Sequence, residues 1–100
     1  MAKTILKIVK GVVFEWDETK AGENAVKHDG VTFDEAIEVF FDVGVRMVDA
    51  SRNDEVRLGL IGYGARSRML FVVHAEKLDQ GFRIISARLA NRFDRRIYEE

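Results

Sequence analysis

Four short segments with the composition of β-strands follow one another between residues 45 and 88, and only short turns separate them. Connections of this length join neighbouring antiparallel strands, because a parallel pair needs a crossover of a dozen or more residues. The pattern predicts an antiparallel meander whose last hairpin loop is 78–81. The continuously apolar segment 69–74 is typical of a central strand covered on both faces. The predicted strands are 45–48, 56–63, 69–74 and 82–88.

Two helices are predicted before the meander. Asp17 can cap the first of them, 18–28, which carries few apolar residues and should lie on the surface. Thr32 and Glu35 have the spacing of a capping box and should open the second helix. The apolar residues of that helix recur at helical spacing, which predicts a face turned towards the core. They are Phe33, Ile37, Phe40 and Phe41.

A third helix is predicted at the end of the chain, where Asn91 can cap it and Phe93 and Ile97 are spaced to face inward. Two helices before an antiparallel sheet and one after it define an α+β fold class. The 100 residues, 1–100, are expected to form a single domain, because this is close to the most common domain size. Residues 12–16 form a further short β-prone run before the first helix, and residues 1–11 either extend this strand or form a loose leader.

The composition excludes several functional classes. The chain has no cysteine, so it can hold neither a disulfide nor a cysteine-based metal site or nucleophile. His28 and His74 lie far apart without acidic residues at ligand spacing, and we predict neither a metal nor another cofactor. No apolar run approaches the length of about 20 residues that spans a bilayer, and no signal-peptide pattern opens the chain. We therefore expect a cytoplasmic protein without a membrane partner.

Charge is distributed unevenly along the chain. The formal net charge is −1, but residues 1–56 carry 12 acidic and 7 basic side chains, and residues 57–100 carry 5 acidic and 9 basic ones. Five arginines stand between residues 82 and 98, and the planar guanidinium fits phosphate oxygens two at a time. The basic half favours RNA or an acidic protein as a partner. Alternatively, the two halves interleave in space and their charges mix.

Five groups of residues follow one another along the chain at characteristic spacings. They are Phe14-Glu15-Trp16-Asp17, Lys27-His28, Phe33-Asp34-Glu35-Ala36, Arg68-Met69-Leu70-Phe71 and Arg83-Ile84-Ile85-Ser86-Ala87-Arg88. Together they resemble the BrnT family of type II toxins, and the resemblance spans residues 14–100. It implies a RelE-like fold, with two helices before a small antiparallel sheet and one after it. It also implies a ribonuclease that cuts RNA and stops translation.

The resemblance implies a protein partner as well. This is a ribbon-helix-helix antitoxin of the BrnA kind, which neutralises the toxin and represses the shared operon, so that DNA is contacted only through the antitoxin. The sequence departs from the family pattern at three places, which concern catalytic strength more than fold. Asp29 is inserted before Gly30, Leu89 replaces a second basic residue after Arg88, and Lys77 stands near a common arginine. These departures motivate an alternative, an inactive toxin-like binding module or co-repressor.

Metal-independent RNA cleavage removes a proton from the 2′-hydroxyl, stabilises the charge of the phosphorane and protonates the leaving 5′-oxygen. Arginine and lysine can stabilise the phosphorane, and a histidine can move protons. The catalytic candidates are Arg68, Arg88, Lys27 and His28. The candidates for RNA binding are Arg83, Arg92, Arg95, Arg96 and Tyr98. This interpretation requires the arginines to gather on one side of the sheet; arginines scattered over the surface, each paired with a carboxylate, would contradict it.

The arginine candidates have structural alternatives. Arg83 and Arg88 are five residues apart on one strand, so their side chains leave opposite faces unless a bulge or the strand end intervenes. Arg83 suits a salt bridge as well as a phosphate contact. Arg68 opens the central strand after a loop, which is a common place for a functional side chain, but it can equally be a surface residue beside a turn.

The other candidates are similarly open. His28 ends a helix whose dipole favours an imidazolium, so it is either a general acid or a cap for the last carbonyls. Lys27 binds phosphate or is a solvated helix residue. Tyr98 stacks on a base or packs against the protein. His74 ends an apolar strand and is expected in the core or at its edge.

Overall fold

The computed structural model describes residues 3–77 and 80–100, so the hairpin loop predicted at 78–81 lies partly outside the described residues. The strands in this part of the chain are Thr4–Val9 (β1), Val12–Asp17 (β2), Arg46–Asp49 (β3), Leu58–Tyr63 (β4), Met69–Glu76 (β5) and Phe82–Leu89 (β6). The helices are Glu18–Lys27 (α1), Phe33–Ile37 (α2), which continues as a 3₁₀ turn over Glu38–Phe41, and Arg92–Glu99 (α3). Over the described residues, each helix is too short or too polar to cross a membrane.

The strands form one sheet in the order β1-β2-β6-β5-β4-β3. Strands β3 to β6 pair as the predicted antiparallel meander, and the α+β fold class is confirmed. The sequence pattern does not predict the parallel pairing of β2 with β6, at Phe14–Phe82 and Glu15–Arg83, because α1, α2 and most of the meander lie between these strands. Residues 4–9 form β1, which pairs with β2 across a two-residue turn with positive φ at both positions.

The core lies between one face of the sheet, which we call the covered face, and the segment formed by α2 and its 3₁₀ turn. Phe33 and Ile37 are buried, as the helical spacing predicts. Phe40 packs edge-on against Phe14, with the ring centroids 4.9 Å apart. The buried apolar strand residues of the covered face are Phe14, Trp16, Leu60, Leu70, Val72, Ile84 and Ala87.

The helix starts follow the sequence with one exception. The Thr32 hydroxyl accepts the N–H of Glu35 at 3.0 Å, as predicted for the start of α2. The other half of that capping box is wrong, because the Glu35 carboxylate pairs with Arg68 instead of reaching back to the cap. A complete capping box lies at α3, where the Asn91 side chain accepts from Asp94 N–H and the Asp94 carboxylate accepts from Asn91 N–H.

The predicted inward face of α3 is wrong at Phe93, whose side chain is 74% exposed. Tyr98 faces the sheet in its place. Its hydroxyl donates to the Asp42 carboxylate at 2.8 Å, and its ring meets that of Tyr63 at 5.5 Å. Burial opposes ionisation of Asp42, but the backbone N–H groups of Tyr63 and Gly44 and the Tyr98 hydroxyl outweigh it and lower the pKa of Asp42. The Asp42 carboxylate thereby fixes α3 to β4.

Beyond the end of the β2 pairing, the side chain of Asn24 forms hydrogen bonds with the edge of β6. β2 pairs only with the first residues of β6, and Asn24 of α1 continues that edge. The Asn24 amide is buried and donates to the carbonyl oxygens of Ala87 at 2.8 Å and of Val31 at 3.2 Å. Its Oδ1 accepts from the N–H of Ala87 at 3.1 Å. Both backbone groups of Ala87 are thus paired on this edge, as buried backbone requires.

We expect Asn24→Ala to lower the free energy of unfolding by about 3 kcal/mol, because it leaves buried backbone groups without partners. Urea denaturation followed by circular dichroism measures this loss. Glu23→Ala, at an exposed position of the same helix, is the matched control and should change stability by less than about 0.5 kcal/mol. Equal losses in the two variants would contradict the role given to Asn24.

His74 lies in the core, as predicted. It is 2% exposed, and its ring meets Phe40 at 5.0 Å and Phe82 at 5.3 Å in edge-on contacts. Nδ1 has no hydrogen-bond partner within the described residues. Burial lowers the pKa of His74, and the nearby Glu76 carboxylate opposes that effect without reversing it. The folded protein therefore holds a neutral imidazole.

The lowered pKa of His74 predicts a loss of stability on acidification. The unfolded chain gains a proton at this histidine as the pH falls through about 6.5, whereas the folded chain resists protonation to a lower pH. The free energy of unfolding should therefore decline between about pH 7 and pH 5, as urea titrations at several pH values can show. In His74→Phe this part of the decline should disappear. The same slope in both proteins would contradict a neutral, buried His74.

Candidate functional site

A bulge in β6 decides where its two arginines point. The register of β6 against β5 shifts between Val73 and His74, which leaves Ile85 without a partner. One extra residue reverses the alternation of side chains beyond it. Arg83 and Arg88, five residues apart, consequently project from the same face of the sheet. The sequence predicts opposite faces for these arginines unless a bulge intervenes, and the structure contains that bulge.

This second face, which we call the open face, is formed by alternate residues of the two central strands. They are Phe71, Val73 and Ala75 of β5 and Arg83, Ser86 and Arg88 of β6. Helix α3 lies over the β4 side of the sheet and leaves these residues partly accessible. The prediction that 69–74 is covered on both faces is therefore wrong for Phe71 and Val73, which are only half-buried.

A cleft of about 350 Å³ opens on this face. We call it the open-face cleft, and it is lined by His28, Ala50, Arg52, Arg57, Phe71, Val73, Ser86 and Arg88. Three guanidinium groups and an imidazole surround an apolar floor made by Phe71 and Val73. Among the described residues, no aspartate or glutamate belongs to this lining. Such a cleft can hold the phosphates of a polyanion at its rim while an apolar group rests on its floor.

Arg88 is held from several sides. Its Nη1 donates to the Asp94 carboxylate at 2.7 Å and to the carbonyl oxygen of Leu89 at 3.1 Å. The guanidinium carbon lies 4.4 Å from the centroid of the Phe71 ring, a cation–π arrangement. Both hydrogen bonds of this guanidinium to described residues use Nη1. Nε and Nη2 are therefore the donors that a ligand in the cleft can engage.

Arg83 borders a neighbouring cleft of about 250 Å³, which Arg57 also lines. Its Nη1 donates to Glu15 at 2.8 Å, and Lys77 donates to the same carboxylate at 2.6 Å. The hydrogen bond from Lys77 and that from Arg83 lower the pKa of Glu15 despite its burial. Lys20 adds a cation to this second cleft. Arg83 thus makes a salt bridge, one of the two alternatives that the sequence left open, and still lies on the open face.

Arg68 occupies a different environment, on the helix side of the sheet. Its Nε and Nη2 donate to the two carboxylate oxygens of Glu35 at 2.9 and 2.7 Å, and the Glu35 side chain is 2% exposed. Nη1 also donates to the carbonyl oxygen of Asp29 at 3.3 Å. The hydrogen bonds that Arg68 donates to Glu35 raise the pKa of the Arg68 guanidinium. Arg68 is not part of the lining of the open-face cleft.

The remaining candidates lie apart from the cleft. Lys27 lies on the outer side of α1 beside Val26, which is exposed although its apolar side chain suggests packing. Tyr98 packs between α3 and β4, as described above. The arginines of α3 line a shallow hollow along that helix; they are Arg92, Arg95 and Arg96. The structure therefore brings His28 and Arg88 together, places Arg83 next to them, and leaves the other candidates elsewhere.

The departures from the family pattern have defined positions. Leu89 lies opposite Leu70 on the covered face, where it packs against the core, so it points away from the cleft. Lys77 is engaged by Glu15. Asp29 has a φ of 55° and is followed by Gly30 with a φ of 73°, and these two left-handed residues turn the chain out of α1 just after His28.

Two lining residues, Arg52 and Arg57, are absent from the candidates that the sequence suggests. Arg52 lies in an exposed turn and Arg57 just before β4, where the Glu55 carboxylate accepts from its Nε at 2.8 Å. Neither position stands out along the chain, because their relation to Arg88 arises only when β4 and β6 flank β5. The one sequence signal for Arg57 is that the resemblance also continues through this residue, outside the five groups named above.

Comparison with known proteins supports the resemblance. Residues 16–94, about four-fifths of the chain, match the family described as the ribonuclease toxin BrnT of type II toxin-antitoxin systems. A comparison with curated proteins gives no match. The chain belongs to the BrnT family, whose description implies an RNA substrate and an antitoxin partner.

The Arg68–Glu35 pair predicts that removing either partner destabilises the folded protein. Arg68→Ala leaves a carboxylate buried without its partner, so we expect a loss of stability at the upper end of the range for single substitutions. Thermal unfolding measures it, with Arg66→Ala in the same exposed loop as control. Arg68→Ala and Glu35→Gln together should be less destabilising than the sum of the two single changes, because they share one interaction. Strict additivity would contradict the pairing.

Proposed function

We propose that this chain, acting as one toxin domain, is an endoribonuclease that cleaves RNA in the open-face cleft without a metal ion. The observation that supports the proposal is the lining of the cleft, where Arg52, Arg57, Arg88 and His28 stand together while the whole chain has a net charge of −1. A concentration of cations in one cleft favours a phosphodiester there. The family match supports RNA as the substrate.

Each group of the cleft has a role in the proposal. Arg88 stabilises the negative charge that grows on the phosphorane through Nε and Nη2, which no described residue engages in a hydrogen bond. His28, half-buried at the end of α1, acts as the general acid that protonates the leaving 5′-oxygen, and water takes the proton of the 2′-hydroxyl. Arg52 and Arg57 hold the flanking phosphates, and Phe71 supports a base. No chemical step is assigned to Arg68 or Lys27.

The proposal also covers the effect on translation and the antitoxin partner. Cleavage of RNA in the cytoplasm inhibits translation, and a ribbon-helix-helix antitoxin of the BrnA kind neutralises the toxin and alone contacts the operator DNA. The antitoxin is expected to cover Arg88 with an acidic segment that carries apolar or aromatic anchors, because occupying the cleft excludes RNA directly. Arg83, Arg92, Arg95 and Arg96 extend the positive surface available to either partner.

One observation favours the alternative of a non-catalytic binding module. Arg57, Arg68, Arg83 and Arg88 are each paired with a carboxylate. Paired arginines can serve purely to hold the fold or to bind a partner. The open-face position of Arg83 and Arg88 supports the ribonuclease over this alternative, as do Nε and Nη2 of Arg88, which make no hydrogen bond to the described part of the chain.

RNA cleavage by the purified chain tests the proposal. We expect single-stranded RNA to be cut in the presence of EDTA, and Arg88→Ala to lower kcat by about 10²–10³-fold, the loss typical of one donor to a transition-state anion. Arg66→Ala, which removes an exposed arginine outside the cleft, is the charge-matched control and should cleave normally.

Expression of the chain without antitoxin gives the matching cellular readout. Growth arrest with wild type and Arg66→Ala, and its loss with Arg88→Ala, would support the ribonuclease. Intact RNA together with tight antitoxin binding would contradict it and select the binding module.

A further inference from the structure

Asp94 is a buried carboxylate at the start of α3 that touches the cleft only through Arg88. Its residue is 5% exposed, and it does not belong to the lining of the open-face cleft. One oxygen, Oδ2, accepts both from the N–H of Asn91 at 2.8 Å and from Nη1 of Arg88 at 2.7 Å. The same atom thus closes the capping box of α3 and holds the arginine that faces the cleft.

Two further contacts restrain the Arg88 guanidinium. The Phe71 ring lies under the guanidinium, with the centroid 4.4 Å from its central carbon, and the Leu89 carbonyl accepts from Nη1. An arginine on a strand has several rotatable bonds, and ordering it at the moment of reaction would cost conformational entropy. A guanidinium already held by a buried carboxylate and a ring loses little freedom when phosphate binds.

We infer that Asp94 is a positioning residue: it holds the Arg88 guanidinium against Phe71 in the orientation that presents Nε and Nη2 to the scissile phosphate. The inference rests on the proposed ribonuclease function and adds to it a residue outside the cleft. Because Asp94 also caps α3, the orientation of Arg88 is tied to the docking of that helix. Asp94 itself contacts neither substrate nor reacting atoms.

Two substitutions separate positioning from helix capping. Asp94→Asn keeps an oxygen that can accept from the N–H of Asn91 but removes the negative charge that binds Arg88. Asn91→Ala removes the oxygen that accepts from the N–H of Asp94 at 2.9 Å and leaves the Asp94–Arg88 pair intact. Both variants weaken the start of α3, and only the first releases the arginine. Their melting temperatures, measured in parallel, show how much of any effect follows stability.

The experiment combines single-turnover RNA cleavage with NMR of the Arg88 Nε–H group. We expect Asp94→Asn to lower the cleavage rate about 100-fold, with RNA affinity little changed, as a displacement of about 1 Å of a catalytic group can do. Asn91→Ala should cleave at close to the wild-type rate. In an Arg88→Ala background, Asp94→Asn should cause no further loss, because the residue acts through that arginine.

The NMR arm does not depend on catalysis. The Nε–H resonance of Arg88 should move in Asp94→Asn, as the guanidinium leaves the Phe71 ring, and should stay in place in Asn91→Ala. The inference is overturned by an unmoved resonance, by equal rate losses in the two variants, or by rate losses that add to that of Arg88→Ala. A wild-type chain that cleaves no RNA contradicts the proposed function instead, and the resonance then decides alone whether Asp94 positions Arg88.

Discussion

The bulge in β6 is the constraint on which the candidate site depends. β6 lies between β2 and β5, so its backbone is paired on both edges, by β2 and then Asn24 on one side and by β5 on the other. Within this frame the one unpaired residue, Ile85, reverses the order of side chains. Ile84 and Ala87 therefore both enter the core, while Arg83 and Arg88 both reach the open face. A regular strand would have separated the arginines.

The two open-face arginines, Arg83 and Arg88, are each paired with a carboxylate through Nη1. Asp94 is nearly fully buried and accepts from Nη1 of Arg88, and Nε and Nη2 make no hydrogen bond to the described residues. Glu15 similarly restrains Arg83. Arg68 differs, because both carboxylate oxygens of Glu35 engage its fork and its role is to join β5 to α2. The same residue type thus serves the cleft in one place and the fold in another.

Much of the fold follows from local pattern. The spacing of Phe33 and Ile37 predicts a buried helical face, and short turns predict the meander. Contacts between distant segments do not follow in this way: the parallel pairing of β2 with β6 and the role of Asn24 require partners more than 60 residues away. Phe93 shows the limit of periodicity, because on a short, polar helix the docking is set by Tyr98 and Asp42 instead.

The candidate site could be predicted only in part, because it too depends on contacts between distant segments. His28 and Arg88 are two of the catalytic candidates that the sequence predicts, and the fold brings them to one cleft. Arg52 and Arg57 join them only because β4 lies beside β5, which no spacing along the chain encodes. The bulge places Arg83 and Arg88 on one face of the sheet, but the two isoleucines at this point of β6, Ile84 and Ile85, give no sequence signal for a bulge.

An NMR titration with an RNA oligonucleotide that carries a 2′-deoxy substitution at the cleavage site tests the central claim most directly, because the bound state persists without reaction. RNA held in the open-face cleft should shift the resonances of His28, Phe71, Ser86 and Arg88 and leave those of the covered face unchanged. Shifts confined to the outer side of α1 or α3, with the open-face cleft unaffected, would contradict the account.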